Sequence, residues 1–203
     1  MRTRMAVLAV AVGTAVALMG PALPAQAQGG SGCELDGSAK FKPALTNDAA
    51  DFTYSFGGTL SNCMSNEDGA PTDGAVSAGQ ILTINGQKFQ EPVAKGNGSC
   101  GNSHTEGVSI VKWSDNSYSV VGYTTGSGAA GVALQGTVVP SVRLKAVRPK
   151  PGQPRSATIK TTAYSGAGAL GTLVFEPPDP TACGAAGVTE AGIQGFIGYG
   201  NYQ

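Results

Sequence analysis

Ser103 and His104 are the one place in this 203-residue chain where a nucleophile and a nitrogen base stand together, because His104 is the single histidine. They lie in "GNSHTEG", residues 101–107, one residue away from the G-x-S-x-G turn that exposes a catalytic serine. That turn needs a small fifth residue and a helix to follow it. Thr105 occupies the fifth position, and the next element reads as a strand from Val108. Neighbouring residues of an extended chain point to opposite faces, so Ser103 and His104 cannot work as nucleophile and base on one substrate. "H-T-E" fits half of a zinc-deaminase signature, but its P-C-x-x-C partner is absent. The stretch reads as a polar loop, and no catalytic residue is assigned.

Other constellations give weaker chemistry. "SNEDGAPTDG" gathers Asn66, Glu67, Asp68 and Asp73, hard oxygen donors suited to calcium, without the alternation and terminal glutamate of a calcium loop. Carboxylate pairs such as Glu34/Asp36 and Glu67/Asp68 have no spacing that sets two acids across a cleft, as glycoside hydrolysis requires. Four cysteines without a C-x-x-C, beside one histidine, do not make a zinc cluster. No metal and no cofactor are expected.

Charge is more informative. "VRLKAVRPKPGQPRSATIK" carries Arg143, Lys145, Arg148, Lys150, Arg155 and Lys160, and no acid falls between Asp115 and Glu176. Pro149, Pro151 and Pro154 make its centre an extended, polyproline-like loop. Arg148, Lys150 and Arg155 are the candidate binding residues, for an extracellular protein or an anionic cell-wall polymer. "NCMSNEDGAP" offers an alternative in which Cys63 braces Met64 and Ser65 as the inhibitory loop of a protease inhibitor. The glycine-rich "GAAGVTEAGIQGFIGYG" reads as a closing strand and not as a membrane-active tail.

The elements that must hold these residues begin with an export signal. A basic start, Met1 to Arg4, precedes the apolar run Met5 to Met19; Gly20, Pro21 and Pro24 break it, and "AQA" ends at Ala27. This pattern predicts a signal peptide over residues 1–27, cleaved after Ala27, and hence a secreted, extracellular protein. The run is short for a bilayer span. Gly30 stands where a lipoprotein anchored through Cys33 would carry a Leu-like residue. Removing those 27 residues leaves 176, from 28 to 203; removing Arg2 and Arg4 leaves 11 basic residues against 13 acidic ones, a net charge of −2. Such a balance excludes a global pull towards nucleic acid or an anionic membrane. A chain of this size buries roughly 70% of its unfolded surface as a single domain.

An even cysteine count in an exported chain predicts two disulfides, with three possible pairings. Cys33–Cys63 with Cys100–Cys183 is the expected set, since the first pair lies symmetrically about Asn47-Asp48 like two arms of a hairpin. Loop-closure entropy assigns them about 3.7 and 4.6 kcal/mol.

No sustained helical period occurs. Short alternating stretches separated by Gly, Asn, Asp or Pro predict an all-β fold, a single antiparallel sandwich or barrel without internal repeats or a linker. Leu35, Gly37, Ala39 and Phe41 share one face of a first strand, and Phe52, Tyr54 and Phe56 one face of a second. Setting Cys33 opposite Cys63 puts these faces out of step by one residue, and a bulge at Gly57-Gly58 would repair it. "VSIVKWSDNSYSVVGY" predicts a central hairpin with a two-residue turn at Asp115-Asn116, Trp113 facing Tyr118, Val111 facing Val120 and Ile110 facing Val121. Further strands are expected over 79–84, 132–139, 142–147, 157–164, 170–175 and 192–199.

The arginine-flanked Ala/Val leader, the paired-cysteine strands and "EPPDPTAC" before the last strand resemble the small Ala/Gly/Thr-rich all-β proteins exported by actinomycete bacteria. The resemblance implies no named activity and no site residues. A secreted, non-catalytic binding or adaptor protein is the expected function. A secreted protease inhibitor or toxin-like protein and a secreted hydrolase are the alternatives.

Overall fold

The computed structural model describes residues 30–128 and 131–201, and the predicted signal peptide lies outside them. Among the described residues run thirteen strands, β1 (Ser31–Leu45), β2 (Ala50–Ser65), β3 (Gly74–Ala78), β4 (Ile81–Ile84), β5 (Gln87–Gln90), β6 (Ala94–Gly98), β7 (Ser103–Trp113), β8 (Tyr118–Gly128), β9 (Gly131–Val139), β10 (Ser141–Ala146), β11 (Ser156–Lys160), β12 (Gly168–Glu176) and β13 (Val188–Gly200). A single 3-10 turn, Ala182–Gly184, precedes the last. The fold is all-β and antiparallel as expected, a barrel and not a sandwich, with a second smaller sheet and two disulfides, Cys33–Cys63 and Cys100–Cys183.

Closure comes from eight strand positions, β1-β13-β12-β9-β8-β7, then one shared by β3 and β6, then β2, which pairs back onto β1. The shared position is a strand cut in two. β3 lies between Phe56–Leu60 of β2 and Ser109–Trp113 of β7, while β6 lies between Ala50–Tyr54 and Ser103–Glu106. Between them the chain leaves the wall at Gly79, whose φ of +67° suits glycine, and builds the β4–β5 hairpin. That hairpin joins β10 and β11 in a four-stranded sheet, order β11-β10-β5-β4. Leu144, Val142 and Phe89 of this sheet cover Ile110 and Val120 on the outside of β7 and β8. The β7–β8 hairpin is therefore apolar on both faces, as its sequence predicts, because one face looks into the barrel and the other lies under the second sheet.

Its register differs from the expectation by one residue. Trp113 pairs with Ser117, whose carbonyl accepts its N–H, so the loop is the three-residue Ser114-Asp115-Asn116 with Asn116 at φ +65°. A type I turn closed by a left-handed residue gives this geometry. Lys112 then faces Tyr118, Val111 faces Ser119 and Ile110 faces Val120. The expected bulge also moves. β1 and β2 slip by one residue between Gly32 and Glu34, opposite Asn62 at φ +50°, and not at Gly57-Gly58. Gly57 and Gly58 pair regularly with Ser38 and Gly37.

One end of the barrel is plugged. Trp113, 1% exposed, meets the edges of Tyr164 and Tyr199 at 5.5 and 5.7 Å, and those two rings stack at 5.3 Å. Gly74 makes room for the indole, since a Cβ there would lie 2.9 Å from Trp113 Cε3. Tyr164 arrives on the segment after β11, which ends at Lys160 and not at the expected 164. Cys33–Cys63 ties β1 to β2 at the same end.

Candidate ligand-binding cavity

Residues that alternate inward along closed strands must fill the barrel or leave space. Here they leave a cavity of about 430 Å³ between the tyrosine plug and the opposite end, within the size range of small-molecule sites. The two alternating faces read from the sequence supply much of one wall. Leu35, Ala39 and Phe41 of β1 and Phe52, Tyr54 and Phe56 of β2 all line it, with Leu134 of β9, Leu173 of β12 and Ile193 and Ile197 of β13.

The β7–β8 side is different. Its inward pairs are Thr105 with Thr125 and Gly107 with Tyr123, and Ser103 and Ser127 meet next to them. Ser103 Oγ and Ser127 Oγ lie 2.8 Å apart, and Thr105 Oγ1 and Thr125 Oγ1 2.7 Å apart. Tyr54 Oη reaches Thr105 Oγ1 at 3.1 Å and Tyr123 Oη at 2.7 Å. Gly107 permits this, because a Cβ there would stand 2.7 Å from Tyr123 Oη. Burial raises the pKa of Tyr54 and, more strongly, that of Tyr123, so both phenols stay protonated at neutral pH. Among the described residues, none that lines the cavity is charged.

At the far end the lining runs to Ser99, Gly101, Gly128 and Gly131, and Gly101 and Gly128 are exposed, so the cavity reaches solvent there. The rim is pinned. Cys100, beside Gly101, is bonded to Cys183 in the 3-10 turn, Cys100 N–H donates to the Thr46 carbonyl, and Asn47 N–H donates to that of Cys183. Three connections are thereby fastened around the mouth, with Leu45, Phe52, Val188 and Ala191 packed beneath.

A buried acid closes the break in the split strand. Glu91, 1% exposed, accepts hydrogen bonds from Ser77 Oγ and, at 2.8 Å, from the Gln80 amide. Burial raises its pKa above the ordinary 4.5, so the folded state holds this proton more tightly than the unfolded chain does. The resulting stabilisation is full below about pH 4.5 and is lost as pH rises through the raised folded value. Unfolding titrations from pH 4 to 8 should show wild-type stability declining relative to Glu91→Gln over that window. A constant difference would contradict the assignment.

Of the residues singled out from sequence for chemistry, Ser103 lines the cavity and the others lie elsewhere. Ser103 and His104 begin β7 and do not form a loop, because β6, a short "AKGNG" strand, pairs with them through Gly98 and Asn97. Ser103 turns inward to Ser127 while His104 is exposed. Arg148, Lys150 and Arg155 are exposed on the β10–β11 connection, where Lys150 N–H donates to Gln153 Oε1. Met64 and Ser65 belong to β2, paired with Gly32 and Ser31, and not to a loop; Met64 is 77% exposed. Among the described residues no group of three or more His, Cys, Asp or Glu is placed to hold a metal ion. No described helix is long and apolar enough to cross a membrane.

Reasoning from sequence missed the cavity's polar wall. Its signal was present as alternating hydroxyls, Ser103-x-Thr105 and Tyr123-x-Thr125-x-Ser127, on two arms of one hairpin. Comparison with protein-family models, with curated proteins and with solved structures gave no match to this chain.

Proposed function

We propose that the protein is a non-catalytic binding protein, acting outside the cell, that holds a small and mainly apolar molecule inside the barrel. The observation that supports this reading most is the uncharged cavity of about 430 Å³, whose lining residues Leu35, Val76, Leu173 and Ile197 share a packed cluster with Trp113, Tyr164 and Tyr199, and which reaches solvent at Gly101 and Gly128. A packed barrel of this size would fill such a space with side chains. Loss of contacts in an empty cavity is costly, and an occupant restores them. Among the described residues, no lining side chains pair a nucleophile with a base, which supports binding over catalysis. Disulfides at both ends suit an oxidising exterior. Titration of the chain beginning at Gln28 with Nile red, an uncharged fluorescent dye, should show saturable one-to-one binding with blue-shifted emission. Absence of saturable binding would remove this reading.

The basic loop supports a second contact, to an anionic partner such as a wall polymer or an acidic protein surface. Its charges are presented on a connection fixed by Val147 N–H to the Lys88 carbonyl and by Gln87 Nε2 to that of Pro154. Exposed charges contribute little to folding. Replacing Arg148, Lys150 and Arg155 together by Ser should therefore shift stability by less than about 0.5 kcal/mol in a thermal melt. The same variant should lose salt-sensitive retention on teichoic-acid-bearing cell walls; equal retention would make the loop a connector only.

A further inference from the structure

We propose that the cavity selects an uncharged ligand bearing a hydrogen-bond-accepting oxygen, of the ketone or ester class, seated against the four hydroxyls of Tyr54, Thr105, Tyr123 and Thr125. This rests on the reading of the barrel as a ligand container and adds which chemistry the container accepts.

The four groups form one chain, Tyr123 to Tyr54 to Thr105 to Thr125, with oxygen separations of 2.7, 3.1 and 2.7 Å. Each hydroxyl brings one hydrogen to donate, and three links consume three of the four. One O–H is left over whatever direction the links take. All four residues line the cavity, so whichever hydroxyl keeps the spare hydrogen belongs to a residue that borders the ligand's space. A buried donor without a partner is costly, and an acceptor oxygen on the ligand meets it. The phenols' raised pKa values keep their hydrogens in place at neutral pH.

Charge excludes the rival ligands. A carboxylate also accepts hydrogen bonds, but no cationic side chain among the described residues lines the cavity to offset its loss of water. An ammonium finds no carboxylate in the lining either. A pure hydrocarbon leaves the spare donor unmet. Across the barrel, Leu35 and Ala39 of β1 and Ile193 and Ile197 of β13 provide an apolar wall for the ligand's body.

Three ten-carbon compounds separate these cases: butyrophenone, butylbenzene and 4-phenylbutanoate, each titrated against bound Nile red at pH 8. Butyrophenone should bind at least ~10-fold tighter than 4-phenylbutanoate. The carbonyl stretch of bound butyrophenone should lie at lower wavenumber than in hexane, reporting the donated hydrogen bond. In the shape-conserving variant Tyr54→Phe/Thr105→Val/Tyr123→Phe/Thr125→Val, the ratio of butyrophenone to butylbenzene affinity should fall roughly 2- to 10-fold. The infrared measurement needs only the wild-type protein and decides the matter if that variant does not fold. An unshifted carbonyl, or a carboxylate bound as tightly as the ketone, overturns the selection while the container reading stands. Failure of both butyrophenone and butylbenzene to displace the dye, or of the dye to bind, overturns both.

Discussion

Val132→Trp is expected to cut Nile red affinity roughly 100-fold or more, about 2.7 kcal/mol, while the protein melts no lower than the wild type. Val132 projects from β9 into the cavity, between Leu173 on β12 and Ser127 on β8. An indole there takes the volume that a ligand would use. Large-for-small substitutions in a filled core force strain, but this one enters open space, where filling commonly adds about 0.5–2 kcal/mol. Dye titration and a thermal melt on the same sample check both halves. Unchanged affinity in a folded variant would place the dye outside the barrel. A strong loss of stability would mean that the space is already occupied by packing.

Trp113→Ala should have the largest effect on folding, a loss of roughly 3–5 kcal/mol measured by urea unfolding. The indole is buried, its edge contacts hold Tyr164 and Tyr199, and its Nε1–H donates to Ser119 Oγ at 2.9 Å. Ser119 in turn donates to the Ala163 carbonyl at 2.8 Å, which fastens the segment that carries Tyr164 beneath the barrel. Removing the indole leaves a void and frees that segment together. Trp113→Phe, which keeps a six-membered ring in the plug but loses the N–H and part of the indole, should cost less than Trp113→Ala. Equal losses in the two variants would show that the ring retained by phenylalanine contributes nothing to the plug.

Much of this fold was legible because its longest strands alternate cleanly. The inward faces of β1 and β2 and the double-sided β7–β8 hairpin follow from period-two patterns, and the two disulfides are the favoured one of three possible pairings. The errors have local causes. Asp115-Asn116 is compatible with either a two- or a three-residue loop, and only the pairing of Trp113 with Ser117 selects the longer one. Asn62, a residue that tolerates positive φ, takes the bulge that the glycine pair suggested. β3, β5 and β6 escaped notice because they have only four or five residues and, in β3 and β6, several glycines and alanines. Their neighbours in the wall or the second sheet hold them in strand form, a tertiary effect that local sequence does not carry.

The cavity was hidden for a different reason. Alternation says which side chains point inward but not whether they meet in the middle. Tyr54 and Tyr123 are 69 residues apart, and their contact depends on closure of the barrel and on the missing Cβ of Gly107. Residues judged for chemistry by type, His104 and the acids, lie outside the lining, whereas the cluster that faces it consists of ordinary hydroxyls. Charged and nucleophilic residue types give no pointer to a cavity whose described lining is uncharged.

Methyl chemical-shift mapping of the wild-type protein on adding butylbenzene tests most directly whether the barrel is a container. Saturable shifts are expected at the inward methyls of Leu35, Leu134, Leu173, Ile193 and Ile197, with the exposed methyls of Met64, Ile81 and Leu170 unmoved. Shifts confined to the exposed set, or none at any position up to saturation of the aqueous phase, would contradict the container reading.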